Sequence, residues 1–293
     1  MHPSVSVVKG REDAGVIATL AALTHVGLAR VHNEDTLHVG DDTGDLTRGR
    51  AELRERISLE HGLSFGVYDG MGGMSSGEVA SREAASVVAA TLAEEPRPRD
   101  EEALRERLIE AVQRANRAIY LAGERDPRRR GNGSTATVAA VIDGCLLIAQ
   151  VGDSRGYLLR DRELVQITTD DRLAQQMARS LGRPLTDEEL HSVPPSVITK
   201  ALGMSAELTP EITRTALRRG DVVLLATDGL TGLVPDPILR AVLLRQRDPG
   251  VACRVLCDEA LGAGGHDNLT IVVARFDGEG LRPPIRAEKL RAG

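Results

Sequence analysis

The sequence predicts an α+β domain built in layers, with antiparallel sheets packed on one another and helices outside. Three observations carry this. Short runs rich in Val, Leu and Ile, bounded by Gly or Asp, recur along the chain as strands do. They do not alternate with helices as parallel βαβ units would: two helical stretches come consecutively, more strands follow, and two further helices precede a last strand. The chain of 293 residues, 41% hydrophobic and 27% charged, has the ordinary globular balance and is long enough for a sizeable core.

In chain order, residues 1–15 show no periodicity and are expected to form a flexible leader to a domain spanning 16–276. Strands are expected at 16–26, 63–68, 134–142, 145–151, 157–159, 221–226 and 268–276. A helix opens at Ser75-Ser76-Gly77-Glu78, a capping-box pattern, and runs to the Pro96/Pro98 stop. A second starts near Asp100, and its Leu104, Leu108, Val112, Ala115 and Ile119 form one apolar stripe. A third follows Pro237 and a fourth follows Pro249, ending at Gly262. Residues 166–211 are polar and too long for a plain connection, so they read as a flap with short helices. The segment 277–293, with Pro283-Pro284, is expected to be an exposed tail.

Composition narrows the function classes. A net charge of −6 repels a phosphate backbone, and 2% aromatics with no Trp leaves little for base stacking, which argues against general nucleic-acid or anionic-membrane binding. The basic residues are 34 Arg against 3 Lys, spread so evenly that a run such as Arg128-Arg129-Arg130 reads as a solvated loop. Three cysteines, with no basic-then-apolar leader, point to a reduced cytoplasmic protein, with Cys253 and Cys257 as core thiols one helical turn apart. No apolar run approaches the ~18 residues of a membrane span.

Four Asp-Gly pairs occur, and the ordinary reading of each is a hairpin turn, which suits Asp143-Gly144 between two strand-like runs. Asp69 and Asp228 differ. Each ends an apolar run (LSFGVYD, DVVLLATD), and neither is followed by a returning strand. Asp69 precedes Gly70-Met71-Gly72-Gly73, glycines that let backbone groups approach a ligand. Glu34-Asp35, Asp153 and Asp267-Asn268 have similar settings at strand ends. Singly each is a cap or a turn; gathered by the sheets, an oxygen-only donor set selects Mg²⁺ or Mn²⁺ over zinc or copper.

The order Arg30-x-x-Asn33-Glu34-Asp35, Asp69-Gly70-Met71-Gly72-Gly73, Gly133-Ser134-Thr135-Ala136, Gly152-Asp153-Ser154-Arg155, Ile198-Thr199-Lys200-Ala201-Leu202-Gly203, Ala226-Thr227-Asp228-Gly229-Leu230 and Gly265-His266-Asp267-Asn268 resembles the PP2C-type (PPM) metal-dependent protein serine/threonine phosphatases in their bacterial form. The resemblance covers about residues 18–276, and its specificity lies in the full ordered set. It implies a four-layer α-β-β-α sandwich of two antiparallel sheets with a two-metal site at one edge. By the same resemblance Asp69 bridges both ions and the Gly70 carbonyl helps hold one. Asp228 and Asp267 complete the other, Asp35 contributes directly or through water, and Asp153 joins a weaker third ion shared with Asp228. The implied reaction is attack of metal-activated water on a phosphoserine or phosphothreonine of a protein, reversing a bacterial kinase.

Arg30 is suited to clamp the substrate phosphate with its planar fork, against the alternative of a surface ion pair with Glu34. Several family members have a His where this chain has Met71, and that His is assigned as the leaving-group acid; Met has no proton to donate, so the resemblance implies either a metal-bound water or another acid in its place. His32, His191 and His266 read as plain polar side chains. Two other readings share the fold: a phosphatase dedicated to one anti-sigma-pathway protein, and a catalytically inactive phosphoprotein-binding module. The second would be expected to lose its carboxylates, and Asp35, Asp69, Asp228 and Asp267 are all present.

Overall fold

The computed structural model describes residues 15–40, 51–58, 62–72, 76–194 and 197–283, with only the backbone of 51–58 and of Ser76. The strands and helices in its first half are β1 (Ile17–His25), β2 (Asp35–Val39), β3 (Ala51–Ser58), β4 (Leu63–Met71), α1 (Ser76–Ala93), α2 (Glu101–Arg125), β5 (Gly133–Ser134), β6 (Ala136–Ile142) and β7 (Cys145–Val151). There follow β8 (Arg155–Arg160), β9 (Glu163–Gln166), α3 (Leu173–Leu181), α4 (Asp187–Ser192), β10 (Glu211–Ala216), β11 (Val222–Ala226), α5 (Asp228–Thr231), α6 (Asp236–Arg245), α7 (Pro249–Gly262) and β12 (Leu269–Asp277).

Two antiparallel sheets result. One runs β3-β1-β12-β11-β8-β9; the other runs β10-β7-β6-β4-β2, with β5 paired to β4. Period-two alternation assigns their faces. On β1, Ala18, Leu20 and Ala22 join Phe65, Val67, Ile148, Val223 and Val272 between the sheets. Ala21 and Leu23 point the other way and pack with Leu239, Leu256 and Ala260 of α6 and α7. The outer face of the second sheet, including Val138, Ala140 and Leu147, is covered by α1 and α2, whose Val88, Leu108 and Val112 are buried there. The order of layers is therefore α-β-β-α, as the resemblance implied.

The stripe on α2 is buried as its spacing predicts, and Asp100 caps the helix by accepting from the Ala103 amide at 2.9 Å. Asp143 and Gly144 lie at φ 48° and 72°, the left-handed pair that a two-residue hairpin requires between β6 and β7. Cys253 and Cys257 are buried on α7. Ser75 of the expected capping box lies outside the described residues, as does the expected leader up to residue 14.

Four strands escape the sequence reading: β2, β3, β9 and β10. All four lie at sheet edges; β2 is short, β9 and β10 are partly exposed, and in β3, β9 and β10 charged or polar residues interrupt the apolar runs. The tail also needs correction at its start. Asp277 still belongs to β12, Leu281 is only 4% exposed against the inter-sheet core, and the Arg219 amide donates to the Arg282 carbonyl at 2.9 Å. One apolar side chain with a place to go holds these residues on the domain; those beyond 283 are outside the described residues. Among the described residues no helix is long and apolar enough to cross a membrane.

Candidate active site

The expected carboxylates come from five parts of the chain and meet at one end of the sandwich. Asp35 opens β2 directly opposite Asp69 near the end of β4. Asp228 follows β11 as the first residue of α5, Asp267 lies two residues before β12, and Asp153 sits in the turn between β7 and β8.

Crowded acids in a poorly hydrated place resist ionisation. Burial, with Asp35, Asp228, Asp153 and Asp267 around it, pushes the Asp69 carboxyl well above the usual carboxylate range. Burial, then Asp153 and Asp267, raises Asp228 to about 6, against the pull of Arg172. Asp35 is raised to about 7 by burial and then by Asp228 and Asp267, although two hydroxyls stabilise its charged form. Those hydroxyls belong to Thr227 and Thr270, each donating to Oδ2 of Asp35 at 2.8 Å. The other oxygen, Oδ1, is buried with no hydrogen-bond partner, as is Oδ1 of Asp153.

Buried acceptor oxygens left unpaired among mutually repelling carboxylates call for cations, and oxygen-only donors fit hard ones. Among the described residues no three His, Cys, Asp or Glu side chains close into a cage around one point. Mg²⁺ and Mn²⁺ hold several of their waters and use few protein ligands each, so such a donor set suits them. The site thus fits the implied ions by the chemistry of its donors.

The folded-state pKa values of these acids lie above those of the unfolded chain, so the folded protein holds more protons and its stability falls as pH rises. For Asp35 the interval is 3.8 to about 7 and for Asp228 3.8 to about 6, and Asp69 acts in the same direction. His38, held by burial down to about 3, acts oppositely but only below pH 6.5. In EDTA the protein is therefore expected to melt at a lower temperature at pH 8.5 than at pH 6.5, and Mn²⁺ is expected to flatten that slope. Equal slopes with and without Mn²⁺, followed by circular dichroism, would detach the acid cluster from the effect.

Backbone approach holds the loops together beneath the acids. Asn268, 5% exposed, donates to the carbonyls of Val26 (2.8 Å) and His32 (2.9 Å), and its Oδ1 accepts from the Glu34 amide (2.7 Å). Gly70 packs so closely that a Cβ there would lie 2.2 Å from the Gly77 carbonyl oxygen and 2.6 Å from that of Glu34. Arg30 reaches the cluster from an exposed loop and donates from Nη2 to Asp267 Oδ2 at 2.7 Å, so its ion-pair partner is Asp267 instead of Glu34. His32, His191 and His266 are exposed.

Four participants carried no role in the sequence reading. Thr227 and Thr270 orient Asp35. Arg155 spends its fork on Asp170, Nη2 to Oδ2 at 2.8 Å, and Arg172 pairs with Asp153, Nη2 to Oδ2 at 2.8 Å. The available signal was the Asp170-Asp171-Arg172 triplet at the start of the flap.

Two antiparallel sheets between helix layers, with carboxylates from both sheets gathered at one end, define a four-layer α-β-β-α protein with an acidic cluster whose donors suit hard cations. The chain belongs to the protein phosphatase 2C family, whose family model matches residues 56–249. It is 38% identical over 263 residues to the serine/threonine protein phosphatase PstP of Mycobacterium tuberculosis, covering 88% of this chain but 45% of that relative's length. The chain thus spans about half of that protein. It is 30% identical over 262 residues to the protein phosphatase PhpP of Streptococcus pneumoniae, covering 89% of this chain and 98% of that one. Among solved structures, the serine/threonine phosphatase Stp1 from Staphylococcus aureus matches with a TM-score of 0.76 at 26% identity, over 92% of this chain and all of that one. The catalytic domain of PstP in complex with 2 manganese ions matches with a TM-score of 0.72 at 34% identity, over 89% of this chain and 99% of that one.

Proposed function

We propose that the chain is a metal-dependent protein phosphatase that removes phosphate from phosphoserine and phosphothreonine of protein substrates, in opposition to a Ser/Thr kinase. The observation that carries this reading is the convergence of Asp35, Asp69, Asp228 and Asp267 at one sandwich end, with a mutual repulsion that bound cations would relieve. Asp69, with the Gly70 carbonyl, would hold two Mn²⁺ or Mg²⁺ ions jointly with Asp228 and Asp267. Bound there, the ions supply activation of a water towards phosphorus and neutralisation of phosphoryl charge. Asp35, fixed by Thr227 and Thr270, presents its free Oδ1 as an acceptor that orients ligand water. Arg30 exchanges its bond to Asp267 for two bonds to the incoming phosphate. Position 71 carries Met, so in this reading the leaving alkoxide takes its proton from solvent.

The test is hydrolysis of p-nitrophenyl phosphate and of a phosphothreonine peptide. Activity is expected with Mn²⁺ or Mg²⁺ and none in EDTA; equal rates in EDTA would refute the mechanism, and no turnover at all would favour the phosphoprotein-binding module. Arg30→Ala is expected to raise KM for the phosphopeptide several-fold more than it lowers kcat, because a phosphate clamp contributes binding shared by ground and transition states. Arg30→Lys should recover part of the loss, since an ammonium has no bidentate fork. An unchanged KM in the Ala variant would leave Arg30 as a surface partner of Asp267.

A further inference from the structure

Arg172 stands among the acids of the centre, yet it comes from the flap. It is the residue before α3, and its segment is fastened on both sides. The Asp171 amide donates to the Gly152 carbonyl at 2.8 Å, the Thr199 amide to the Asp171 carbonyl at 2.7 Å, and the Leu173 amide to the Val197 carbonyl at 3.0 Å. An antiparallel bridge joins Arg172 to Ile198. So anchored, the guanidinium lies between two carboxylates. Nε and Nη2 are each 2.8 Å from Asp153 Oδ2, and Nη2 is 3.7 Å from Asp228 Oδ2. Asp170, 3.9 Å from Nε, is already held by Arg155 through several hydrogen bonds and adds little.

Asp153 is 1% exposed, and Asp228 is raised by its presence. Two such carboxylates facing one notch need a positive charge between them. A divalent ion could provide it, as the resemblance implies for Asp153. Here the chain provides it itself, with a cation that does not deprotonate and whose side chain is only 21% exposed.

We propose that Arg172 is a built-in cation that closes the notch between Asp153 and Asp228 to a further divalent ion, and so ties the start of the flap to the metal centre. Asp153 then serves the centre by holding Arg172, and a third ion enters only where the arginine is removed. An ordinary structural ion pair would leave ion stoichiometry unchanged, which makes stoichiometry the deciding quantity. The inference rests on the two-ion reading above.

Mn²⁺ bound per chain is to be measured by equilibrium dialysis into the millimolar range, for the full chain, Arg172→Gln, Arg172→Met and Arg172→Gln combined with Asp153→Asn. Circular dichroism melting identifies any variant that does not fold, and the Met variant keeps a long uncharged stem at the site should the Gln variant fail. Two ions are expected for the unsubstituted chain, three for either Arg172 variant with the third weaker than the first two, and two again for the double variant. Two ions in every protein would overturn the proposal while leaving the two-ion reading intact. Three ions in the unsubstituted chain would overturn it by showing the notch open. No bound Mn²⁺ in the unsubstituted chain would refute the two-ion reading and the inference with it.

Discussion

Asp69→Asn is expected to lower turnover more than tenfold at saturating Mn²⁺ while raising the melting temperature of the protein in EDTA. Both follow from the same crowding. Asp69 is the acid on which Asp35, Asp228, Asp153 and Asp267 all act, and its burial already disfavours the charge. Replacing it by a neutral isostere relieves repulsion when no ion is present, and removes a negative ligand from a multivalent site when ions are wanted. A merely structural Asp69 would give neither the gain in EDTA nor the loss of stabilisation by Mn²⁺. Retention of more than about a tenth of the wild-type rate, a change below about 1.4 kcal/mol in barrier, would rule out direct ligation. Asp228→Asn should behave alike in activity, with a smaller stability gain because Arg172 already offsets part of its charge.

What the sequence made legible is what local chemistry determines. Asp143-Gly144 reads as a hairpin because two adjacent left-handed residues suffice to build one, and the α2 stripe reads as buried because its period alone defines a face. The acids were individually indistinguishable from turns and caps. Only their ordered resemblance to a family assembled them, since the register of Asp35 against Asp69 is a product of sheet pairing between separate strands. Arg172 was hidden for two reasons. Its partner Asp153 is 19 residues away across a folded-back flap, and in a chain with 34 arginines no single arginine stands out. Thr227 and Thr270 were hidden likewise: threonine at a strand end is ordinary β-sheet composition until both hydroxyls are found on one carboxylate oxygen.

Gly229→Ala is expected to cost about 3 kcal/mol or more of stability, a fall of roughly 5–10 °C in melting temperature for a chain of this size, and to abolish most activity. The Asp-Gly pair at 228–229 serves close approach: a Cβ on Gly229 would fall 1.9 Å from the Asn268 carbonyl oxygen and 3.2 Å from the Leu269 Cα. Neither neighbour can yield cheaply. Leu269 starts β12, which is hydrogen-bonded to β1 on one side and β11 on the other. Asn268 holds the Val26, His32 and Glu34 backbone, so moving it loosens the loop that carries Arg30 and Asp35. Relief must come from α5, which carries Asp228 away from Asp69 and Asp267. Gly262→Ala is the control, because nothing lies within 4 Å of a Cβ at that helical position and alanine there should be neutral or stabilising by about 0.5–1 kcal/mol. If Gly229→Ala melts with the wild type and keeps its turnover, the contact between the Asp228 turn and the Asp267-Asn268 loop does not set the geometry of the centre.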